Sequence, residues 1–165
     1  ELVEAAAEMH ARLGVPMDGI DIRAKNLVGA NIANVRMHNV SARNADLRNA
    51  NLSGIYAFEG DFNGANLSGT NLTGAYLEKS ILFSANGIKA IFINAKLTDA
   101  ILNAANLPGA DITNAIMLGV NLLRADLSGA RLNGANLGKS QMFSGKNYPK
   151  TFKCACLYIS RRCPK

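Results

Sequence analysis

Between Ile22 and Met142, every fifth residue is apolar or small, without one insertion or slip. The stretch Arg124–Ser140, RADLSGARLNGANLGKS, shows the unit: Leu127, Leu132 and Leu137 stand five apart, and Ala125, Ala130 and Ala135 each stand two places before one of them. Of the 25 central positions, only Ala42, Ala57 and Gly87 lack a large apolar side chain, and the register ends at Asn147. Two places before the centre the residue is small, as at Ala30, Ala45, Ala50, Ala65, Ala75 and every fifth residue from Ala85 to Ala115. Just before the centre Asn or Asp recurs (Asp21, Asn26, Asn66, Asp126), and two places after it Gly or Asn recurs (Gly54, Gly64, Gly69, Gly109).

A helix repeats every 3.6 residues and a strand every 2, so neither explains a period of five. In extended chain, residues two apart share a face, which places the Ala and the Leu of each unit together. Residues five apart can all point inward only if the chain turns a corner once per repeat. Glycine, asparagine and aspartate are the residues that tolerate such corners. The chain must wind about an axis with its Leu and Ala side chains in the middle. One turn cannot bury its own centre, so the turns stack and backbone hydrogen bonds run between them.

The units ANLSG (65–69), ADLSG (125–129), ADLRN (45–49) and NLTG (71–74) resemble the A(D/N)Lxx motif of the pentapeptide-repeat family, over residues 20–144. The resemblance implies an all-β fold, a right-handed quadrilateral β-helix of four repeats, or about 20 residues, per coil. Six or so coils stacked at ~4.8 Å would make a rod on the order of 30 Å long. Residues 1–19, with the apolar stripe Leu2, Ala6, Met9 and Leu13 ended by Gly14 and Pro16, read as a capping helix and linker. Residues 145–165 read as a basic, cysteine-containing cap over the other end, where an open edge would invite aggregation.

If residues 20 apart stack, three surface groups follow. Tyr56 and Tyr76 share a column. Arg23 and Arg43 share another, with Arg48 one corner away, as a candidate basic patch. Ile81, Phe83, Ile88, Ile91 and Ile93 all point outward from one coil, with Ile101 stacked on Ile81, and Leu118 and Leu123 extend this belt. β-Branched residues on ladder positions gain from stacking alone, whereas grouped exposed apolar residues mark contact sites. The belt and the tyrosines are therefore candidate partner-binding residues, and the belt or the C-terminal segment could join two copies. In the core, the small Gly87 beside Phe92, and Ala42 and Ala57 beside Phe62, lead us to expect volume compensation.

No catalytic constellation appears. His10 and His38 lack any signal for a base or ligand role, and the motif Asp and Asn recur too often to be acids. They suit turn residues whose side chains bond local backbone. No phosphate loop, zinc-protease helix or nucleophile elbow is present, and no cofactor is implied. Cys154, Cys156 and Cys163 offer three ligands with no histidine nearby, so a metal site is not expected. Free thiols are the default, and a disulfide to Cys163 requires export. The N-x-[ST] matches at Asn39, Asn51, Asn66 and Asn71 arise from the repeat itself.

The net charge of +6 divides unevenly: −3 over residues 1–19, +3 over 20–144 and +6 over 145–165. Acidic members of the family mimic duplex DNA and bind topoisomerase, which needs a negative rod, so that role is disfavoured here. Nucleic-acid binding through the arginines and tail has a weak footprint. No run reaches the ~18 apolar residues of a membrane helix. The start ELVEAAAEMHARLG has no basic region of a signal peptide and no initiator Met, which suggests a processed chain or a piece of a larger one. The expectation is a non-catalytic protein-interaction scaffold, not an enzyme. The alternative is a targeting or substrate-binding domain of a larger enzyme, such as a secreted bacterial effector. The cytoplasm is the default compartment.

Overall fold

The structure, a computed structural model, describes residues 14–142. Parallel bridges join each residue before a centre to the residue 20 places on: Asp21 with Ser41, Asn66 with Asn86, Asn121 with Gln141. The described chain therefore winds at 20 residues per coil through just over six coils.

The interior repeats share one pattern of inter-coil bonds. The Leu67 N–H donates to the Asn86 carbonyl at 2.6 Å, the Gly69 N–H to the Ile88 carbonyl at 2.9 Å, and the Asn86 N–H back to the Ala65 carbonyl at 2.9 Å. A fourth bond closes the corner, from the Thr70 N–H to the Leu67 carbonyl at 3.0 Å. Every fifth residue from Gly14 to Lys139 has a positive φ, between 51° and 71°. One positive φ at the second central residue of an i to i+3 turn is the type II pattern. Four such corners per coil give the rod four faces.

A corner every five residues also refines the all-β expectation. It leaves room for only a single bridge per repeat, so the described residues hold isolated bridges rather than extended strands.

The centres and the small residues fill the axis. Leu67 and Leu107 are 1% exposed and Leu132 is fully buried. Phe62 and Phe92 are the largest buried side chains. The Phe62 ring occupies space that a side chain at Gly60 would need: a Cβ there would lie 2.8 Å from Phe62 Cε2 and 3.0 Å from Val40 Cγ1. At Gly87 the compensation comes from a different neighbour than expected. The nearest atom to a Cβ there is Leu107 Cδ2, one coil on, at 2.6 Å, because stacked centres face each other along the axis. Thr70, Ser80 and Ser140 replace alanine in the core, and each hydroxyl donates to a carbonyl of the preceding coil, those of Leu47, Ala57 and Met117 at 2.7, 3.0 and 2.7 Å. A buried hydroxyl with a partner escapes the cost of desolvation.

The regular winding begins earlier than residue 20. Met17 is buried and its N–H donates to the Arg36 carbonyl at 2.7 Å, so VPMDG is already a repeat unit with Gly19 at its corner. Pro16, which reads as a stop signal in sequence, sits in the position before this first centre. The expected capping helix falls largely in residues 1–13, and the C-terminal cap with its cysteines and dimer role in 143–165; both lie outside the described residues.

Candidate interaction surface

Each face collects one repeat from every coil. Face 1 holds the repeats centred on 22, 42 and so on to 142, face 2 those on 27 to 127, face 3 those on 32 to 132, and face 4 those on 17 to 137. The residue before each centre points outward, because its two chain neighbours point in. Where that residue is Asn or Asp, its carboxamide or carboxylate bends over the corner. Asn66 Oδ1 accepts the Ser68 N–H at 3.2 Å and the Ser68 hydroxyl at 2.7 Å, and Asp126 does the same for the Ser128 N–H at 2.9 Å. These residues serve the turns.

The belt occupies one coil. Ile81 and Phe83 stand on face 1, Ile88 on face 2, and Ile91 and Ile93 on face 3; Ile101 bridges Ile81 from the next coil. Phe83, Ile88 and Ile101 are exposed, at 40%, 38% and 38%, while Ile81, Ile91 and Ile93 are half-buried. The apolar group also continues onto face 4, where Leu118 and Ile116 are exposed, and Leu123 is half-buried on face 1. Ile116 is absent from the belt read in sequence, although its place before Met117 gave the signal.

The tyrosines stack as their 20-residue spacing requires, with ring centroids 4.4 Å apart and planes 14° apart. The column continues beyond them, with the Lys96 ammonium 4.1 Å from the Tyr76 centroid. Beside it on face 4, the Lys79 ammonium lies 5.3 Å from the Phe58 centroid, and His38 meets Phe58 edge-on at 6.3 Å. Sequence reading missed Lys96, Phe58 and His38 as members of this cluster; stepping by 20 along the chain finds all three. Tyr76 therefore spends its ring on Tyr56 and Lys96.

The three arginines are all matched. Arg23 pairs with Asp21 at 2.6 Å, Arg48 with Asp46 at 2.6 Å, and Arg43 with Asp61. The hydrogen bond from Arg23 holds the Asp21 carboxyl down at about 2, and that from Arg48 holds Asp46 below its ordinary value. The candidate basic patch thus carries its own counter-charge. Among the described residues, no group of three or more His, Cys, Asp or Glu could hold a metal ion, and no helix is long and apolar enough to cross a membrane.

The model of the family described as pentapeptide repeats matches eight copies, over residues 23–55, 61–86, 90–122 and 105–142. Curated proteins give no significant match. Solved structures similar to the chain include HetL, a pentapeptide repeat protein involved in heterocyst differentiation regulation from the cyanobacterium Nostoc sp. strain PCC 7120, at 26% identity, covering 82% of this chain and 79% of that one, with a TM-score of 0.33. They include QnrB1, a plasmid-mediated fluoroquinolone resistance protein, at 15% identity over 86% and 87% of the two chains, with a TM-score of 0.42. Rfr23 from the cyanobacterium Cyanothece 51142 is 22% identical over 82% and 97%, with a TM-score of 0.30. With TM-scores this low, the assignment rests on the repeats themselves: their match spans more than half of the sequence, and the chain belongs to the pentapeptide-repeat family.

Proposed function

We propose that this protein is a non-catalytic protein–protein interaction scaffold whose contact surface is the apolar belt: Ile81, Phe83, Ile88, Ile91, Ile93 and Ile101. One observation carries the reading: two adjoining coils expose Phe83 and Ile101 on face 1, Ile88 on face 2, and Ile116 and Leu118 on face 4. Grouped apolar exposure of this kind marks contact sites. Tyr56 and Tyr76 on face 4 are a second, smaller candidate, since tyrosine is enriched among interface hot spots. In the same reading the winding is right-handed, as the family resemblance implies, and residues 1–13 and 145–165 cap the ends.

Charge weighs against the two nucleic-acid roles. The repeat region is net positive, unlike a DNA mimic, and Arg23, Arg43 and Arg48 already hold carboxylates. The alternative, a binding domain of a larger enzyme, uses the same surface.

The test is the triple variant Ile81→Ser, Phe83→Ser, Ile91→Ser beside the wild type. All three side chains point away from the core, so the circular-dichroism spectrum should be unchanged. Self-association in sedimentation, or partner capture, should be lost. Identical mass and identical captured partners in both proteins would reject the belt as the contact surface.

A further inference from the structure

Three departures from the repeat coincide in residues 79–104. The first is at the corners. Every corner in this structure has a positive φ, which Gly, Asn and Asp tolerate and other residues resist. Of the six corners from 79 to 104, four carry something else: Lys79, Ser84, Lys89 and Ala104. Among the other twenty, only Ala24, Glu59, Arg124 and Lys139 do.

The second departure is in the bonds that brace the corners. On one side, Asn71 Oδ1 accepts the Thr73 N–H at 3.0 Å, and on the other Asp111 Oδ1 accepts the Thr113 N–H at 3.1 Å. Among the described residues no such bond is made between them. The sequence explains all of these losses but that at Asn86. Tyr76, Ile81, Ile91, Lys96 and Ile101 occupy the position where a carboxamide would stand. Asn106 is followed two places on by Pro108, which has no N–H, and Asn86 Oδ1 accepts instead from Asn106 Nδ2 at 3.2 Å. The third departure is Gly87, the one glycine among the central residues.

The Ile81–Ile101 rung pair and the buried Phe92 work the other way, since stacked side chains stabilise a ladder. They do not relieve a left-handed lysine or brace a corner. In a solenoid each coil touches only its neighbours, so a weak coil is not averaged away. Local opening then takes place where the local free energy is lowest.

We infer that residues 79–104 are the least stable interior unit of the rod, opening ahead of the coils before them, and that a contact on the belt is coupled to the closing of this unit. The coupling rests on the proposed function, because a partner that binds only the closed coil shifts the balance towards it. The weak coil itself does not. Strained backbone gathers at functional sites, and here it gathers under the belt.

Hydrogen exchange of the full chain, read by mass spectrometry, tests this. Peptides from 79–104 should exchange about tenfold faster than those from 41–75. The double variant Ser84→Gly, Lys89→Gly should slow exchange in 79–104 and leave 41–75 unchanged. Equal or slower exchange in 79–104 overturns the inference, and so does a difference that the glycine variant leaves intact. Neither outcome depends on whether the belt meets a partner, which the serine variant reads separately.

Discussion

A residue in this solenoid answers to two neighbours at once, one along the chain and one 20 places away. The corner glycines show it. Gly54 needs its glycine for its φ of +64°, and also because Asn34 Oδ1, on the corner of the preceding coil, occupies the space a Cβ would take. Gly74 has a φ of +66° but nothing within 4 Å of that space. Both substitutions to alanine incur the left-handed penalty of roughly 1–2 kcal/mol. Only Gly54→Ala must also displace Asn34. Chemical denaturation should find Gly74→Ala less stable than wild type by about 1–2 kcal/mol and Gly54→Ala worse still. Equal losses would show that the stacked amide does not matter. The pairing of Asn at one corner with Gly on the next coil recurs at Asn44 and Gly64, Asn49 and Gly69, and Asn114 and Gly134. It was present in the sequence all along, but becomes visible only once the 20-residue step is known.

The coil is the unit of packing, and its core is where sequence reading succeeded. A side chain at a central position has no alternative environment, so the apolar register from Ile22 to Leu137 translated directly into burial. Reading fell short where a position has two neighbours of equal claim. Gly87 beside Phe92 suggested an exchange of volume along the chain, whereas the space went to Leu107 across the stack. Ile81 and Phe83 both stand outward on face 1, yet Ile81 is half-buried and Phe83 exposed, a difference that the five-residue pattern does not carry. For the core itself, Phe92 is 1% exposed and fills the axis in a coil that Gly87 leaves lean. Phe92→Ala should cost roughly 3–5 kcal/mol, and its neighbours have little freedom to close the cavity. A loss below about 1 kcal/mol would mean that the stack relaxes around the gap, against the behaviour of close-packed interiors.

At the scale of the whole rod, charge is arranged in local pairs, and this sets how the molecule should respond to acid. Asp21 is held down at about 2 by the Arg23 hydrogen bond, and Asp46 is lowered by that of Arg48. At Asp111, burial pushes the carboxyl up, but hydrogen bonds from Thr113 and the charge of Arg131 outweigh it and the net shift is down. A carboxyl whose folded-state pKa lies below the ordinary 3.8 contributes stability that is fully present above that value. The contribution is lost as pH falls through the folded value. The thermal midpoint should therefore stay nearly level from about pH 8 down to about pH 5 and decline between about pH 4 and 2. Because the arginine of each pair is exposed, the decline should be shallow and should shrink further in high salt, where surface pairs are screened. Replacing Asp21, Asp46 and Asp111 together with Asn keeps an acceptor for each corner N–H and removes the titrating group. That variant should lose the share of the acid dependence carried by these three, keeping that of Asp18, which the His38 N–H and Arg36 also hold down, and should keep the fold. A midpoint that already drops between pH 7 and 5, or an acid decline untouched by the triple Asn variant, would place the sensitivity elsewhere than in these carboxylates.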